Sequence, residues 1–254
     1  MLEVTFIGTG TSQGVPVIAC KCHVCKSIDK KDKRLRSSVW LKEGDTSIVI
    51  DTSPDFRYQM LHSEVQSLNA ILYTHEHRDH IAGLDDIRSF NYLQKEAINV
   101  FCEERVYRAL KNEFPYIFAE HKYPGIPQVK VNLIKSGKFK VKKIEITPIR
   151  AMHMRLPILG YRIGDFAYIT DANYISNEEI SKLKGVRVFV VNALRKEKHI
   201  SHYSLQEAID LIQKVKPEKA YLTHIGHQMG LYKIVEEELP ENISLAYDGL
   251  RLMC

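Results

Sequence analysis

Long apolar runs are missing from this sequence. No stretch approaches the roughly 20 apolar residues that cross a bilayer as a helix. The opening segment Met1-Leu2-Glu3-Val4 leads into a predicted strand without the basic residues of a secretion signal. We therefore expect a soluble, cytoplasmic protein without membrane contacts. Low-complexity segments are missing as well, so the 254 residues are expected to form one domain, residues 1–254.

Cysteine is scarce and odd in number, which argues against a secreted disulfide framework, since there are only five. Three of them form the pattern Cys20-x-Cys22-x-x-Cys25, typical of a zinc knuckle covering about residues 18–36. A tetrahedral site needs one more ligand. His23 lies between the cysteines, and His227 is the other candidate that we consider. The alternative is three reduced cysteines in a mobile loop.

The glycine-rich segment after the first predicted strand lacks the dinucleotide fingerprint. Gly8, Gly10 and Gly14 are spaced G-x-G-x-x-x-G, one residue too long, and no helical pattern follows them. This spacing argues against nucleotide binding. The glycines either let the backbone approach a metal site or a phosphate, or form an ordinary turn.

Charge is mildly basic, with a formal net charge of +5. Basic residues cluster in two runs, at 30–36 and at 135–143. Such runs are usually solvated faces, but they also suit attraction of a phosphate-bearing substrate. Charge alone does not separate a small phosphate ester from nucleic acid.

The most informative segment is the histidine-rich loop that follows the apolar run Ala70-Ile71-Leu72-Tyr73. It contains His75, His77, Asp79 and His80 within six residues. Imidazole and carboxylate groups suit Zn, Mn or Fe, and four of them on one loop exceed what one ion normally takes from it. We therefore predict two adjacent ions, the first held by His75 and His77 and the second by Asp79 and His80.

Local patterns predict the elements around this loop. Ser53 and Pro54 indicate the start of a helix that continues to about Val65. The preceding Asp51 either caps that helix or orients a ligand histidine. The run 139–149 is predicted as one strand. Ser204 and Glu207 form the sequence signature of a capping box.

The pattern His75-x-His77-x-Asp79-His80 resembles the signature of the metallo-beta-lactamase superfamily. That resemblance implies an α+β fold, a four-layer αββα sandwich, with a dinuclear Mn or Zn centre at one edge of its two sheets. It implies three further ligands at later strand ends: His153 for the first ion, Asp171 as a bridge, and His224 for the second ion. His227 then remains to complete a structural zinc site with Cys20, Cys22 and Cys25.

Further motifs are similar to the phosphoribosyl cyclic phosphate phosphodiesterases of the carbon-phosphorus lyase pathway. They include Gln13-Gly14-Val15-Pro16, the cysteine knuckle, Thr223-His224-Ile225-x-His227-Gln228 and Asp248-Gly249. This resemblance implies a small phosphorylated substrate, such as 5-phosphoribosyl 1,2-cyclic phosphate, attacked by a metal-activated hydroxide. It also implies His202 as the histidine that stabilises the transition state or donates a proton, with His199 as competitor. Asp79 is expected to act in catalysis as well as in metal binding.

Other functions remain open at this point. A transfer-RNA-processing endonuclease shares the metal loop, although the long RNA-gripping arm of that family is not recognisable here. A lactone or thioester hydrolase, or a metal-binding module without catalysis, is also compatible with the fold. Nucleic acid is thus a less favoured partner than a small phosphorylated substrate, and a homodimer is one of the alternatives for the assembly.

Overall fold

Apolar residues alternate along the strands, and this alternation sets the layers of the fold. The computed structural model describes residues 1–121 and 123–254. The strands are β1 (Glu3–Gly8), β2 (Ser38–Glu43), β3 (Thr46–Ile50), β4 (Ala70–Leu72), β5 (Ile98–Cys102), β6 (Val129–Leu133), β7 (Phe139–Val141), β8 (Ile144–His153), β9 (Leu156–Ile163), β10 (Phe166–Ile169), β11 (Val188–Asn192), β12 (Lys219–Thr223), β13 (Ile243–Leu245) and β14 (Arg251–Met253). They form two seven-stranded sheets, in the orders β14-β1-β2-β3-β4-β5-β6 and β13-β12-β11-β10-β9-β8-β7.

A central core lies between the two sheets. Val4 and Phe6 of β1 point into it, together with Tyr161 and Tyr168 of the second sheet. Ile7 points to the opposite face of the first sheet, because successive side chains of a strand alternate.

Helices cover both outer faces. They are α1 (His23–Lys26), α2 (Phe56–His62), α3 (Arg78–Ile81), α4 (Arg88–Gln94), α5 (Glu104–Glu113), α6 (Asn177–Ser181), α7 (Leu205–Val215) and α8 (Tyr232–Glu238). Phe56 of α2 and Leu110 of α5 pack on the first sheet. Leu211 of α7 and Val235 of α8 pack on the second. The four-layer αββα sandwich expected from the sequence is therefore confirmed.

Parallel pairing brings the carboxyl ends of the central strands to common edges. In the first sheet β3, β4, β5 and β6 are parallel, and in the second sheet so are β10, β11, β12 and β13. Segments that follow such strands meet at one end of the sandwich. The histidine-rich loop follows β4, and the segments with Asp171 and His224 follow β10 and β12.

Three local predictions differ from the structure. The helix predicted from Ser53 to Val65 begins only after Asp55 and ends at His62, so Ser53 does not cap it. The predicted single strand 139–149 is a hairpin of β7 and β8, with Lys142 in the left-handed region at φ 50°. The predicted loop of Asp79 and His80 contains the short helix α3. The capping box of Ser204 and Glu207 is confirmed.

Helices long and apolar enough to cross a bilayer do not occur in residues 1–121 and 123–254.

Candidate metal centre

Three polar residues of the site leave their strands through a left-handed backbone. Asp51 follows β3, Asp171 lies two residues after β10, and His224 follows β12. Their φ values are 63°, 64° and 55°. Residues other than glycine seldom adopt this backbone conformation, and those that do concentrate at functional sites. The backbone turns abruptly at each of these positions, and all three side chains are buried.

A first cluster contains three imidazoles, from His75, His77 and His153, whose ligand atoms lie within 4.8 Å of one another. Nε2 of His75 is 3.0 Å from Nδ1 of His77. Nδ1 of His153 lies 2.7 Å from the carbonyl oxygen of Ser201. Because only a protonated Nδ1 can donate to a carbonyl, Nε2 of His153 is left as an electron-pair donor. Burial lowers the pKa of His153 and favours this neutral form.

A second cluster contains Asp79, His80, Asp171 and His224, again within 4.8 Å. Nε2 of His80 lies 3.1 Å from Oδ2 of Asp79 and 3.4 Å from Oδ1 of Asp171. Nδ1 of His224 lies 3.1 Å from the same Asp171 oxygen. Its ring is also contacted by Thr11 and Ser37, at 3.3 Å and 3.2 Å.

Asp171 lies between the two clusters. Its Oδ1 faces His80 and His224, whereas its Oδ2 is 3.9 Å from Nε2 of His75 and 3.3 Å from Nε2 of His202. Burial alone would raise the pKa of Asp171, but His224 and His80 hold it well below its ordinary value. One carboxylate can therefore serve both clusters, which is the geometry of a bridging ligand.

His202 lies at the same carboxylate without belonging to the first two clusters. Its Nδ1 is 3.0 Å from Oγ of Ser201 and 3.2 Å from Nδ1 of His199. His199 is thus one ring further from Asp171 than His202. Between the two histidines that the sequence left in competition, His202 is the one that contacts the centre.

The residues present fit a pair of divalent cations. Nε2 of His80 is buried and, despite the nearby carboxylates, has no hydrogen bond of acceptable geometry to any residue that the structure describes, which is costly unless a cation occupies its lone pair. Burial disfavours a charged His80, yet the carboxylates of Asp171, Asp79 and Asp51 hold its pKa well above the ordinary value. The negative charge of these three carboxylates also favours a bound metal cation. Imidazole and carboxylate donors suit Zn²⁺ or Mn²⁺.

A separate cluster of soft donors lies at the knuckle. Nδ1 of His227 is 3.4 Å from Sγ of Cys20, 3.4 Å from Sγ of Cys22 and 3.5 Å from Sγ of Cys25. A tetrahedral zinc ion with ordinary Zn–S and Zn–N bond lengths separates sulfur from nitrogen by about 3.5 Å. The structure thus brings together the four residues proposed for the structural zinc site, whereas His23 stands outside the cluster.

Thiolate character in the knuckle is uneven. The amide N–H of Cys25 and the imidazole of His227 lower the pKa of Cys22 to about 6. Burial raises the pKa of Cys25 to about 11. A zinc ion would displace the proton of Cys25, since metal ligation requires the thiolate.

The glycine segment packs closely against the chain around residue 36. A Cβ at Gly8 would lie 1.9 Å from the carbonyl oxygen of Arg36, so only glycine fits there. Gly10 pairs with Arg36 and with Ile225, the residue after His224. Both interpretations of this segment therefore have support: it contains a tight turn, and it lies beside His224, a predicted metal ligand.

The basic run at 30–36 is not entirely solvated. Arg34 is buried and donates to Oγ1 of Thr9 and to the carbonyl oxygen of Ala246. Asp248 accepts from Thr9 and from the amide of Leu35. This buried network fastens the glycine segment to the end of the chain.

The sequence predicts that Asp51 either caps a helix or orients a ligand histidine, and the structure shows its Oδ2 2.7 Å from Nδ1 of His80. Sequence reasoning missed Ser37 and Ser201, which contact His224 and His153. It also missed Asn173, which bonds to Met154 beside His153. Serine and asparagine carry no distinctive spacing, so the sequence offers no signal for these contacts beyond the nearness of Asn173 to Asp171.

Two seven-stranded sheets with paired ligand clusters at one edge define the class of metal-dependent hydrolases with the metallo-beta-lactamase fold. Residues 46–225 match the family model described as Beta-lactamase superfamily domain, and the chain belongs to this superfamily.

Two solved structures resemble this fold. The structure of a new diphosphatase from the PhnP family superposes with a TM-score of 0.94 at 35% sequence identity. The match covers 100% of this chain and 98% of the diphosphatase chain. Zn²⁺-bound PqqB from Methylobacterium extorquens has a TM-score of 0.80 with 15% identity, covering 99% of this chain and 100% of its own, which shows the fold alone.

A relative from Porphyromonas gingivalis carries a different name. That octanoyltransferase is 41% identical over 247 residues, which are 96% of this chain and 50% of the relative. The chain therefore spans half the length of the Porphyromonas gingivalis relative.

Proposed function

We propose that the protein hydrolyses phosphoric esters, most specifically a small cyclic phosphodiester such as 5-phosphoribosyl 1,2-cyclic phosphate. The main support is the position of Asp171, whose single carboxylate lies close to both candidate metal-binding clusters and to His202. A structural site with four closed ligands would have no use for this arrangement. The likeness to a PhnP-family diphosphatase supports phosphorus as the centre of attack.

Each cluster would hold one divalent ion, Zn²⁺ or Mn²⁺. When bound, such a pair lowers the pKa of a coordinated water and neutralises charge on the phosphoryl oxygens. His75, His77 and His153 would bind the first ion, and Asp79, His80 and His224 the second, with Asp171 shared. His77 is exposed, so the first cluster is open to a substrate from solvent.

His202 supplies the proton chemistry of the proposal. As the water oxygen bonds to phosphorus, the bond from phosphorus to the leaving oxygen breaks and its electron pair stays on that oxygen. Nε2 of His202 gives this oxygen a proton, and the proton of the consumed water restores the imidazole. Ser201 and His199 hold the other side of the ring through Nδ1.

An acyl thioester or ester is the second candidate substrate, because half of a relative named octanoyltransferase is 41% identical to this chain. The fold supports several leaving groups, so this candidate differs in substrate and not in metal centre. Precursor transfer RNA is the third substrate worth testing, given the shared metal loop.

A substrate panel tests these proposals. The purified protein, loaded with Zn²⁺ or Mn²⁺, would be assayed on 5-phosphoribosyl 1,2-cyclic phosphate, bis(4-nitrophenyl) phosphate, an octanoyl thioester and precursor transfer RNA. We expect kcat/KM to be highest on the cyclic phosphate and to fall by about 100-fold or more in His202→Ala, with metal content unchanged. Rapid thioester cleavage with inert phosphodiesters would contradict the proposal.

A further inference from the structure

Asn173 joins two segments that each carry a histidine of the site. Its Oδ1 accepts a 2.8 Å hydrogen bond from the amide of Met154, the residue after His153. Its Nδ2 donates a 3.1 Å hydrogen bond to the carbonyl oxygen of Ile200, two residues before His202. A single amide side chain therefore connects the segment of a predicted metal ligand with the segment of the predicted proton donor.

Side-chain contacts hold both segments, together with a backbone bond from the amide of Tyr203 to the carbonyl oxygen of Ala172 at 2.8 Å. Met154 lies in the turn between β8 and β9, with a left-handed backbone at φ 57°. Residues 199–203 lie between β11 and α7 and contain neither helix nor strand. Besides Asn173, the bond from His153 to the carbonyl of Ser201 also links these segments. Irregular backbone of this kind moves easily when a side-chain bond is lost.

Asn173 itself is fixed by its own backbone. The backbone N–H of Asn173 donates to the carbonyl oxygen of Met152 at 2.8 Å. The backbone N–H of Met152 donates to the carbonyl oxygen of Tyr174 at 2.9 Å. The neighbouring Ala172 amide donates to the side chain of Asn192 at 2.7 Å. The asparagine is thus a rigid support, and the loop of His202 is the part that it holds.

We propose that Asn173 is a positioning residue that holds His202 in place to protonate the leaving oxygen; this rests on the phosphoric ester hydrolysis proposed above. Its two bonds have opposite polarity, one accepted from Met154 and one donated to Ile200. The amide provides both, whereas an ionised carboxylate accepts and cannot donate.

Asn173→Asp keeps one of the two hydrogen bonds and removes the other. The carboxylate still accepts from Met154, but it faces the Ile200 carbonyl with oxygen against oxygen, so the loop of His202 should shift while His153 stays. Asn173→Ala removes both bonds and should have at least the same effect. The matched control is Asn177→Ala, an exposed asparagine at the start of α6.

Two diesters that differ only in the leaving group provide the readout. Methyl 4-nitrophenyl phosphate releases a weakly basic phenolate that needs no proton, whereas methyl phenyl phosphate releases a basic one. General acid catalysis is typically worth about 100-fold or more. We expect Asn173→Asp to lose about 100-fold in kcat on the phenyl ester and less than about threefold on the nitrophenyl ester. KM, metal content and unfolding temperature should remain those of the Asn177→Ala control.

A crystal structure of Asn173→Asp gives a second readout that does not depend on activity. We expect the ring of His202 to be displaced from Asp171 while the ligand histidines keep their places. An equal loss on both esters, a loss of metal, or an unmoved His202 would overturn the inference alone. A metal-loaded wild-type protein that is inert on both esters and on 5-phosphoribosyl 1,2-cyclic phosphate would overturn the proposed function and this inference together.

Discussion

Oδ2 of Asp51 lies 2.7 Å from Nδ1 of His80, and both side chains are fully buried. The other acceptor positions of Asp51 are occupied by the amide and the hydroxyl of Thr74, each at 2.8 Å. A proton on Nδ1 of His80 leaves Nε2 free to bind a cation. Asp51 therefore fixes the tautomer of a predicted metal ligand.

Asp51→Asn should weaken metal binding at the second cluster. An amide nitrogen in place of Oδ2 cannot accept from Nδ1 of His80, so the ring loses the partner that orients it. Changes of this kind typically cost about 10- to 100-fold in metal affinity. Equilibrium dialysis with elemental analysis would measure the loss. The exposed Asp45→Asn provides the control, and unchanged affinity in Asp51→Asn would contradict the assigned role.

Asp171→Ala should remove metal and turnover together. Without the shared carboxylate, the two clusters lose the ligand that lies between them and the contact to His202. We expect fewer than two active-site ions per chain and a fall in kcat/KM of about 100-fold or more. Asp165→Ala, on the exposed turn between β9 and β10, should behave as wild type. Full activity in the Asp171 variant would refute the bridging role.

His227→Ala should release the knuckle zinc. Three thiolates then lack their fourth ligand, and the link between the knuckle and the segment after β12 is lost. We expect one zinc ion fewer per chain and a loss of about 2 kcal/mol or more in stability, roughly 4–8 °C in Tm. His62→Ala, on the exposed face of α2, is the comparison. A variant that keeps all its zinc would exclude His227 as a ligand.

Asp248 predicts a pH dependence of stability. Burial raises its pKa to about 6 from an ordinary 3.8, against the opposing hydrogen bonds of Leu35 and Thr9. Between pH 3.8 and about 6, the folded protein therefore keeps a proton on Asp248 that the unfolded chain has released. Its stabilising contribution is complete below pH 3.8 and is lost as the pH rises through about 6.

Urea unfolding at several pH values measures this effect. Between pH 4 and pH 7 the wild type should lose roughly 2 kcal/mol relative to Asp248→Asn, which does not titrate. The exposed Asp210→Asn should keep the slope of the wild type. Parallel curves for wild type and Asp248→Asn would show that Asp248 does not titrate in this range.

Residue chemistry at strand ends made much of the site predictable. His75, His77, Asp79 and His80 lie so close in sequence that any fold placing them after a strand brings them together. The remaining candidate ligands required the resemblance to a known superfamily, because His153, Asp171 and His224 meet only through the pairing of distant strands. The structure groups them as that resemblance implies.

Contacts that depend on tertiary packing were not predictable. The turn at Lys142 interrupts an alternating pattern without the glycine or asparagine that usually marks a left-handed position. Arg34 belongs to a charged run, yet its guanidinium is buried against Thr9 and Ala246. Asn173 is an ordinary polar residue until the segments that it joins are seen side by side.

The left-handed backbone of Asp51, Asp171 and His224 matters for anyone who would transplant this centre into another scaffold. Matching the side chains to new strand ends would not suffice, because a chain that continues in extended form would carry them away from the two clusters. A designer would have to rebuild three abrupt exits from the sheets, each compatible with a residue larger than glycine, before choosing any ligand.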